Sequence, residues 1–197
     1  MKKRYLIITF VQNSWIVSAM QSLIFWRKVK NVWSHVQIGF SDTDLDLSAE
    51  KAGIVWVSRS ETIKKAKKFI QYIVPLTDEK LKEFELVLKF YEGKKYDFYF
   101  YVRWFFNTHI LANGVLGLVS FIVGWNWILY VLSFIYLLLN PIMYVLSLDT
   151  WACSEYVSDS LFKVGIDYLQ GKKSSGADPT HMKEMTAFAG WKVYNQS

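Results

Sequence analysis

Residues 32–40 read V-W-S-H-V-Q-I-G-F, and their alternation decides the fold. Val32, Ser34, Val36, Ile38 and Phe40 fall on one side of a period-two pattern, and Trp33, His35, Gln37 and Gly39 on the other. Successive side chains of a strand point to opposite faces, so this run predicts a strand that buries Val36 and Ile38 and turns His35 to the polar face. Ser41 to Asp44 makes a turn, after which Leu45, Leu47 and Ala49 alternate with Asp46, Ser48 and Glu50 as a returning strand. Gly53 leads into the β-rich run I-V-W-V-S. Residues 4–11 and Phe69 to Val74, the latter stopped by Pro75, supply two more strands.

Helical spacing brackets this sheet. Asn13 or Ser14 caps a predicted helix through about Trp26, with Ile16, Met20 and Leu23 or Ile24 on one face. Thr77 caps a second, Asp78 and Glu79 favour its dipole, and Leu81, Phe84, Val87, Leu88 and Tyr91 recur along it until Gly93. A third lies in D-T-W-A-C-S-E-Y-V-S-D-S-L, residues 149–161, closed by Gly165. With Thr150 near its cap, Cys153 falls in the first turn, where unpaired backbone N–H groups favour thiolate. A polar loop, a short helix and a last strand around Trp191 to Tyr194 complete an α+β chain, an antiparallel sheet packed on the Cys153 helix.

The 197 residues suit one domain with an insertion. From Trp104 to Leu148 there is no Asp, Glu, Lys or Arg, which divides the chain into a globular part, 1–103 and 149–197, and a hydrophobic, membrane-seeking helical insert, 104–148. Gly124-Trp125-Asn126-Trp127 splits the insert. About 15 residues before that break rise roughly 22 Å, short of the roughly 30 Å hydrocarbon layer. A tilted or re-entrant hairpin with both ends on one side fits, with Trp125, Trp127 and Tyr130 at the interface; the alternative is a buried helical pair in a larger assembly. The basic start M-K-K-R before an apolar run imitates a signal peptide, but the run ends at Gln12 without a small-residue cleavage site and reads instead as the first strand.

The net charge of +6 beside such a stretch points to anionic phospholipid, and no nucleic-acid motif is present. A single cysteine excludes an internal disulfide and a cysteine-based zinc cage. It also focuses attention on chemistry, because a thiol at a helix start and an imidazole on a strand are the minimum set for nucleophilic acyl transfer. The base needs a third group to orient it, and the strand after His35 offers Asp46, Ser48 and Glu50 on one face. Gln37, on the same face as His35, is a candidate to line the pocket or assist an oxyanion, and Trp33 to line the pocket. His109 opens the insert, and His181 lies in the tail at a helix start.

The ordered segments S-H-V-Q-I-G-F (34–40), L-S-A-E-K-A-G-I-V-W (47–56), G-K-K-Y-D-F (93–98), C-S-E-Y-V-S-D-S-L (153–161) and A-D-P-T-H-M (177–182) resemble the circularly permuted branch of the NlpC-type papain-like amidases, the YiiX-like group, with its small bacterial and phage members. The resemblance covers most of residues 4–105 and 149–190. It implies a papain-like fold in which the strand histidine precedes the cysteine helix, with Cys153 as nucleophile, His35 as base and the third residue at Ser48 or Glu50. Glutamate is common at the position aligned with Ser48, so this chain departs from the pattern there, and an insert between Y-D-F and C-S-E is unusual.

The expected activity is hydrolysis of an amide in bacterial cell-wall peptide by a membrane-associated enzyme of the bacterial envelope, phage particle or infected cell, with no metal or organic cofactor. The permuted fold also resembles lecithin retinol acyltransferase and its phospholipid-acting relatives, which implies lipid ester hydrolysis or acyl transfer as an alternative. A non-catalytic membrane-inserting or virion component is the third.

Overall fold

A computed structural model describes residues 4–13, 32–97, 150–167 and 178–196. The expected helix from Asn13 or Ser14 to Trp26, the insert 104–148 and His109 lie outside the described residues. Among the described residues no helix is long and apolar enough to cross a membrane.

Strands β1 (Leu6–Gln12), β2 (His35–Phe40), β3 (Leu45–Glu50), β4 (Gly53–Ser58), β5 (Lys68–Val74) and β8 (Lys192–Gln196) form one antiparallel sheet in the order β4-β3-β2-β1-β5-β8. Helices α1 (Arg59–Lys65), α2 (Asp78–Tyr91), α3 (Cys153–Lys163) and α4 (Pro179–Phe188) accompany it. A short parallel pair, β6 (Lys95–Tyr96) and β7 (Thr150–Trp151), stands apart. The chain is therefore α+β, as its alternation and spacing predict, and residues from both sides of the uncharged stretch build one core.

One face of the sheet is apolar. Leu6, Ile8 and Phe10, Val36, Ile38 and Phe40, Leu47 and Ala49, and Ile70, Tyr72 and Val74 cluster there with residues of α2, α3 and α4. On α2 the buried positions are Leu81, Phe84, Leu88 and Tyr91, one stripe at helical spacing. The Thr77 hydroxyl accepts the Lys80 N–H at 3.3 Å, and Gly93 leaves the helix at φ +80°, the left-handed turn glycine takes without strain. The helix α3 is held by its own burial and by the Tyr156 hydroxyl, which donates to the Leu47 carbonyl.

The opposite face is polar yet equally buried: Thr9, Gln37, Asp46, Ser48 and Gln71 are essentially inaccessible. Desolvating such groups is costly unless they are bonded, and Asp46 is the hub that satisfies most of them. Its carboxylate accepts from Arg59 Nε and Nη2 at 2.8 and 2.6 Å, from Gln37 Nε2 at 2.9 Å and from Thr9 Oγ1 at 3.0 Å, while Gln71 Nε2 donates to Thr9 Oγ1 at 3.1 Å. Burial pushes the Asp46 carboxyl up, and Arg59, Thr9 and Gln37 pull it back. Gly39 is what admits this hub: a Cβ there would stand 2.2 Å from Asp46 Oδ1 and 2.3 Å from the Leu45 carbonyl oxygen.

Candidate active site

Three of the residues singled out in the sequence meet on the polar face. Gln37 stands opposite Ser48 in the β2–β3 register, so the alternation that carries His35 and Gln37 to this face also carries Ser48 and Glu50 there. The Ser48 hydroxyl donates to Glu50 Oε1 at 2.6 Å and lies 2.6 Å from His35 Nε2. A hydroxyl has one proton to give, and an ionised carboxylate can only accept. Ser48 therefore accepts from the ring, Nε2 carries the hydrogen, and Nδ1 of the neutral imidazole keeps its lone pair. Glu50 Oε1 is also 3.6 Å from Nε2, close enough to attract the ring once it is protonated. Burial lowers the His35 pKa from its ordinary 6.5, and Glu50 offsets part of that. The choice the sequence leaves between Ser48 and Glu50 is thus resolved into a series, Glu50 to Ser48 to His35.

Cys153 is the first residue of α3. Ala152, not Thr150, precedes the helix as its cap: Thr150 is in β7, paired with Lys95, and the Ala152 N–H donates to Glu155 Oε2 at 3.1 Å. That bond explains the glutamate of C-S-E, a third-position side chain reaching back over the helix start. Burial pushes the Cys153 thiol up to about 12, opposed by backbone N–H groups of Val36, Ser154 and Cys153 itself. Burial therefore favours the uncharged form of both the thiol and the imidazole.

Thiol and ring approach from different sides of β2. Cys153 belongs to the apolar cluster with Val36, whereas His35 projects with Gln37 to the other face, and among the described residues no hydrogen bond joins the sulfur to the ring. At the strand end the sulfur accepts from the N–H of Val36, the peptide that follows His35. Tyr96 of β6 completes the neighbourhood, its phenol pushed up by burial and then by Cys153. Spacing gave no role to Tyr96; the G-K-K-Y-D-F segment was the available signal.

Gln37 and Trp33, the candidate pocket residues, are both buried. Gln37 is tied to Asp46, and its Oε1, like Ser154 Oγ beside the thiol, has no partner among the described residues. Trp33 packs edge-on against Phe10, under Lys68 Nζ at 4.4 Å, and its N–H donates to Thr180 Oγ1 at 2.8 Å. That bond gives the A-D-P-T-H-M segment a physical meaning. Asp178 Oδ1 accepts the Thr180 and His181 N–H groups, Pro179 takes the first helical position, and Thr180 anchors α4 to the approach to β2. His181 is used in that cap through its backbone. Asp46, the remaining acidic candidate, is committed to Arg59. Among the described residues no group of His, Cys, Asp and Glu is arranged to hold a metal ion.

No family model, curated protein or solved structure matches this chain.

Proposed function

We propose that this protein is a cysteine hydrolase of the permuted NlpC-type, papain-like kind, cleaving an amide, with bacterial cell-wall peptide as the favoured substrate, at a membrane surface. The observation that carries the reading is the Glu50–Ser48–His35 series, which fixes the ring tautomer and leaves Nδ1 with its lone pair on the strand whose Val36 N–H meets a cysteine at a helix start. Catalytic hydrogen bonds in unliganded sites are frequently long and tighten with substrate, so the reaction requires His35 Nδ1 and Cys153 Sγ to close across the Val36 peptide.

As Sγ attacks the carbonyl carbon, its proton passes to Nδ1. The imidazolium is then held by Ser48 and by the charge of Glu50. Backbone N–H groups at the start of α3 stabilise the oxyanion, and the ring returns its proton to the leaving amine. Water, activated by the same nitrogen, attacks the thioester, releases the carboxylic acid and restores the thiol. In this reading residues 1–103 and 149–197 are the hydrolase domain and 104–148 the membrane-associated insert.

One observation favours a second reading. The segment 98–149 that contains the uncharged stretch follows Asp97 and precedes Thr150, and β6–β7 pairs Lys95 with Thr150 and Tyr96 with Trp151 immediately before Cys153. A lipid-seeking segment rooted there suits hydrolysis or transfer of a lipid ester. Detergent-solubilised protein is incubated with purified cell-wall peptides and, separately, with phospholipid. New free amines from the first support the amidase, and fatty acid or lysolipid from the second supports the lipid reading. Neither product, with Cys153 also inert to an acyl probe, contradicts both.

A further inference from the structure

The described structure is electrically polarised along its strands. Register places Val11 opposite His35, Gln12 opposite Lys68 and Glu50 opposite Gly53, so these residues share one end of the sheet, and the Val36 N–H beside the thiol brings Cys153 to it. Lys67 is fixed there because its N–H donates to the Gln12 carbonyl at 2.9 Å. Lys64 and Lys65, in the last turn of α1, lead into it, and all three of these lysines are exposed. Lys183, midway along α4, lies close enough to Lys68 to lower that ammonium's pKa further after burial has done so. Exposed acids at this end are Glu50, Glu92 and Glu184, and Glu61 stands 3.9 Å from Lys65 Nζ, so lysines still outnumber them there once the exposed Lys51 and Lys95 are included. The other end carries Asp42 and Asp44 in the β2–β3 turn, Glu83, Glu85 and the acidic first turn of α2, against Lys80, Lys82, Lys192 and Arg4, of which Arg4 is paired to Asp42 and Glu85 at 3.0 Å each and Lys80 to Glu83 at 2.9 Å.

Lysines this near one another repel, so their collection at one end favours a negatively charged partner. The β6–β7 pair, between whose strands the uncharged stretch falls in sequence, follows Lys94, which is bonded to Ile54 at this same end, and precedes Cys153. We propose that this end of the sheet, bearing Lys64, Lys65, Lys67, Lys68 and Lys183, docks on anionic phospholipid headgroups and holds the Cys153–His35 site against the bilayer. The proposal rests on the proposed active site for its purpose but not for the binding itself. It would direct the enzyme to substrates presented at an anionic membrane surface.

The test uses the full-length chain with Cys153→Ala, so that turnover plays no part, and two kinds of vesicle: phosphatidylcholine alone, and phosphatidylcholine with phosphatidylglycerol. The uncharged stretch contributes to both, so the readout is the ratio of the two affinities. Each lysine at such a surface contributes about fivefold. Lys64→Gln, Lys65→Gln and Lys67→Gln together are expected to reduce the ratio by about a hundredfold at low salt. A control with the same net charge, Lys80→Gln, Lys82→Gln and Lys192→Gln, leaves it near the parent value. Equal losses in the two triple variants, or no loss in the first, overturn the proposal. Orientation is read with an environment-sensitive fluorophore attached through Lys67→Cys or Asp42→Cys in the Cys153→Ala chain. A blue shift on anionic vesicles at 67 alone supports docking by this end, and a shift at 42 alone overturns it. Failure here with acylation of Cys153 intact removes the docking and leaves the hydrolase; the converse result removes the hydrolase and leaves the docking.

Discussion

The Ser48 hydroxyl sits 2.6 Å from His35 Nε2 and donates a hydrogen bond to Glu50 Oε1, so the hydrogen-bond partner of the strand histidine is a serine, with the Glu50 carboxylate 3.6 Å from the same nitrogen. That arrangement has separable consequences for the two residues. Ser48→Ala frees the ring to change tautomer and rotate, and is expected to slow acylation of Cys153 by about 10–100-fold. Glu50 is nearly half exposed, so solvent screens its charge, and Glu50→Gln is expected to cost less than Ser48→Ala. Second-order rates with one small acyl ester check the ordering; a larger loss in Glu50→Gln contradicts it.

The pH dependence follows from burial of both partners. His35 is held below its ordinary 6.5 and the thiol is pushed up to about 12, so in the proposed mechanism the base is already neutral at pH 7 and the thiol gives up its proton only when the ring takes it. Acylation should fall on an acid limb below pH 6.5 and be level through neutrality. In His35→Ala the rate should instead climb with pH into the alkaline range. The same shift affects stability. Because the folded-state pKa is the lower one, the unfolded chain binds the proton more readily, so stability is fully present above pH 6.5 and is lost as pH falls through the folded value. Urea unfolding at a series of pH values should show this acid slope reduced in His35→Gln.

Gly39 should not tolerate a side chain. With a Cβ only 2.2 Å from Asp46 Oδ1 and 2.3 Å from backbone oxygen, Gly39→Ala forces β2 and β3 apart at the hub of the polar face. A loss of about 3 kcal/mol is expected, measured by chemical denaturation. An unchanged midpoint would show that the hub is looser than its geometry.

Arg59→Met leaves the Asp46 carboxylate buried and without its cation, with an expected cost of about 3–5 kcal/mol. Adding Asp46→Asn removes the stranded charge while keeping acceptors for Thr9 and Gln37, and should recover much of the loss. If the double variant is no more stable than Arg59→Met, the ion pair is not what holds this face.

The legible parts of the fold were those with period or punctuation. Alternation gave β2 and β3 and placed His35, Ser48 and Glu50 on one face, and Thr77 and Gly93 bounded α2. The order within the series was not legible, because spacing puts Ser48 and Glu50 on the same side without saying which hydroxyl or carboxylate reaches the ring. The helix α1 was missed although Ser58 caps it by accepting from the Glu61 N–H at 3.2 Å, a serine three residues before a glutamate, because the run is short and highly charged. The β6–β7 pair joins two-residue segments across the whole uncharged stretch, which no local pattern encodes. Asp46 looked like a candidate orienter of the base, and only the long-range approach of Arg59 reveals it as structural.

The most direct test of the Cys153–His35 pairing is the second-order rate at which a small acyl ester modifies Cys153 at pH 7, compared between the parent chain and His35→Ala. With His35 as the base, the variant should react about 10²–10⁴-fold more slowly while unfolding at a similar urea concentration. Equal rates in two equally folded proteins would contradict the pairing and leave the buried Cys153 without a base.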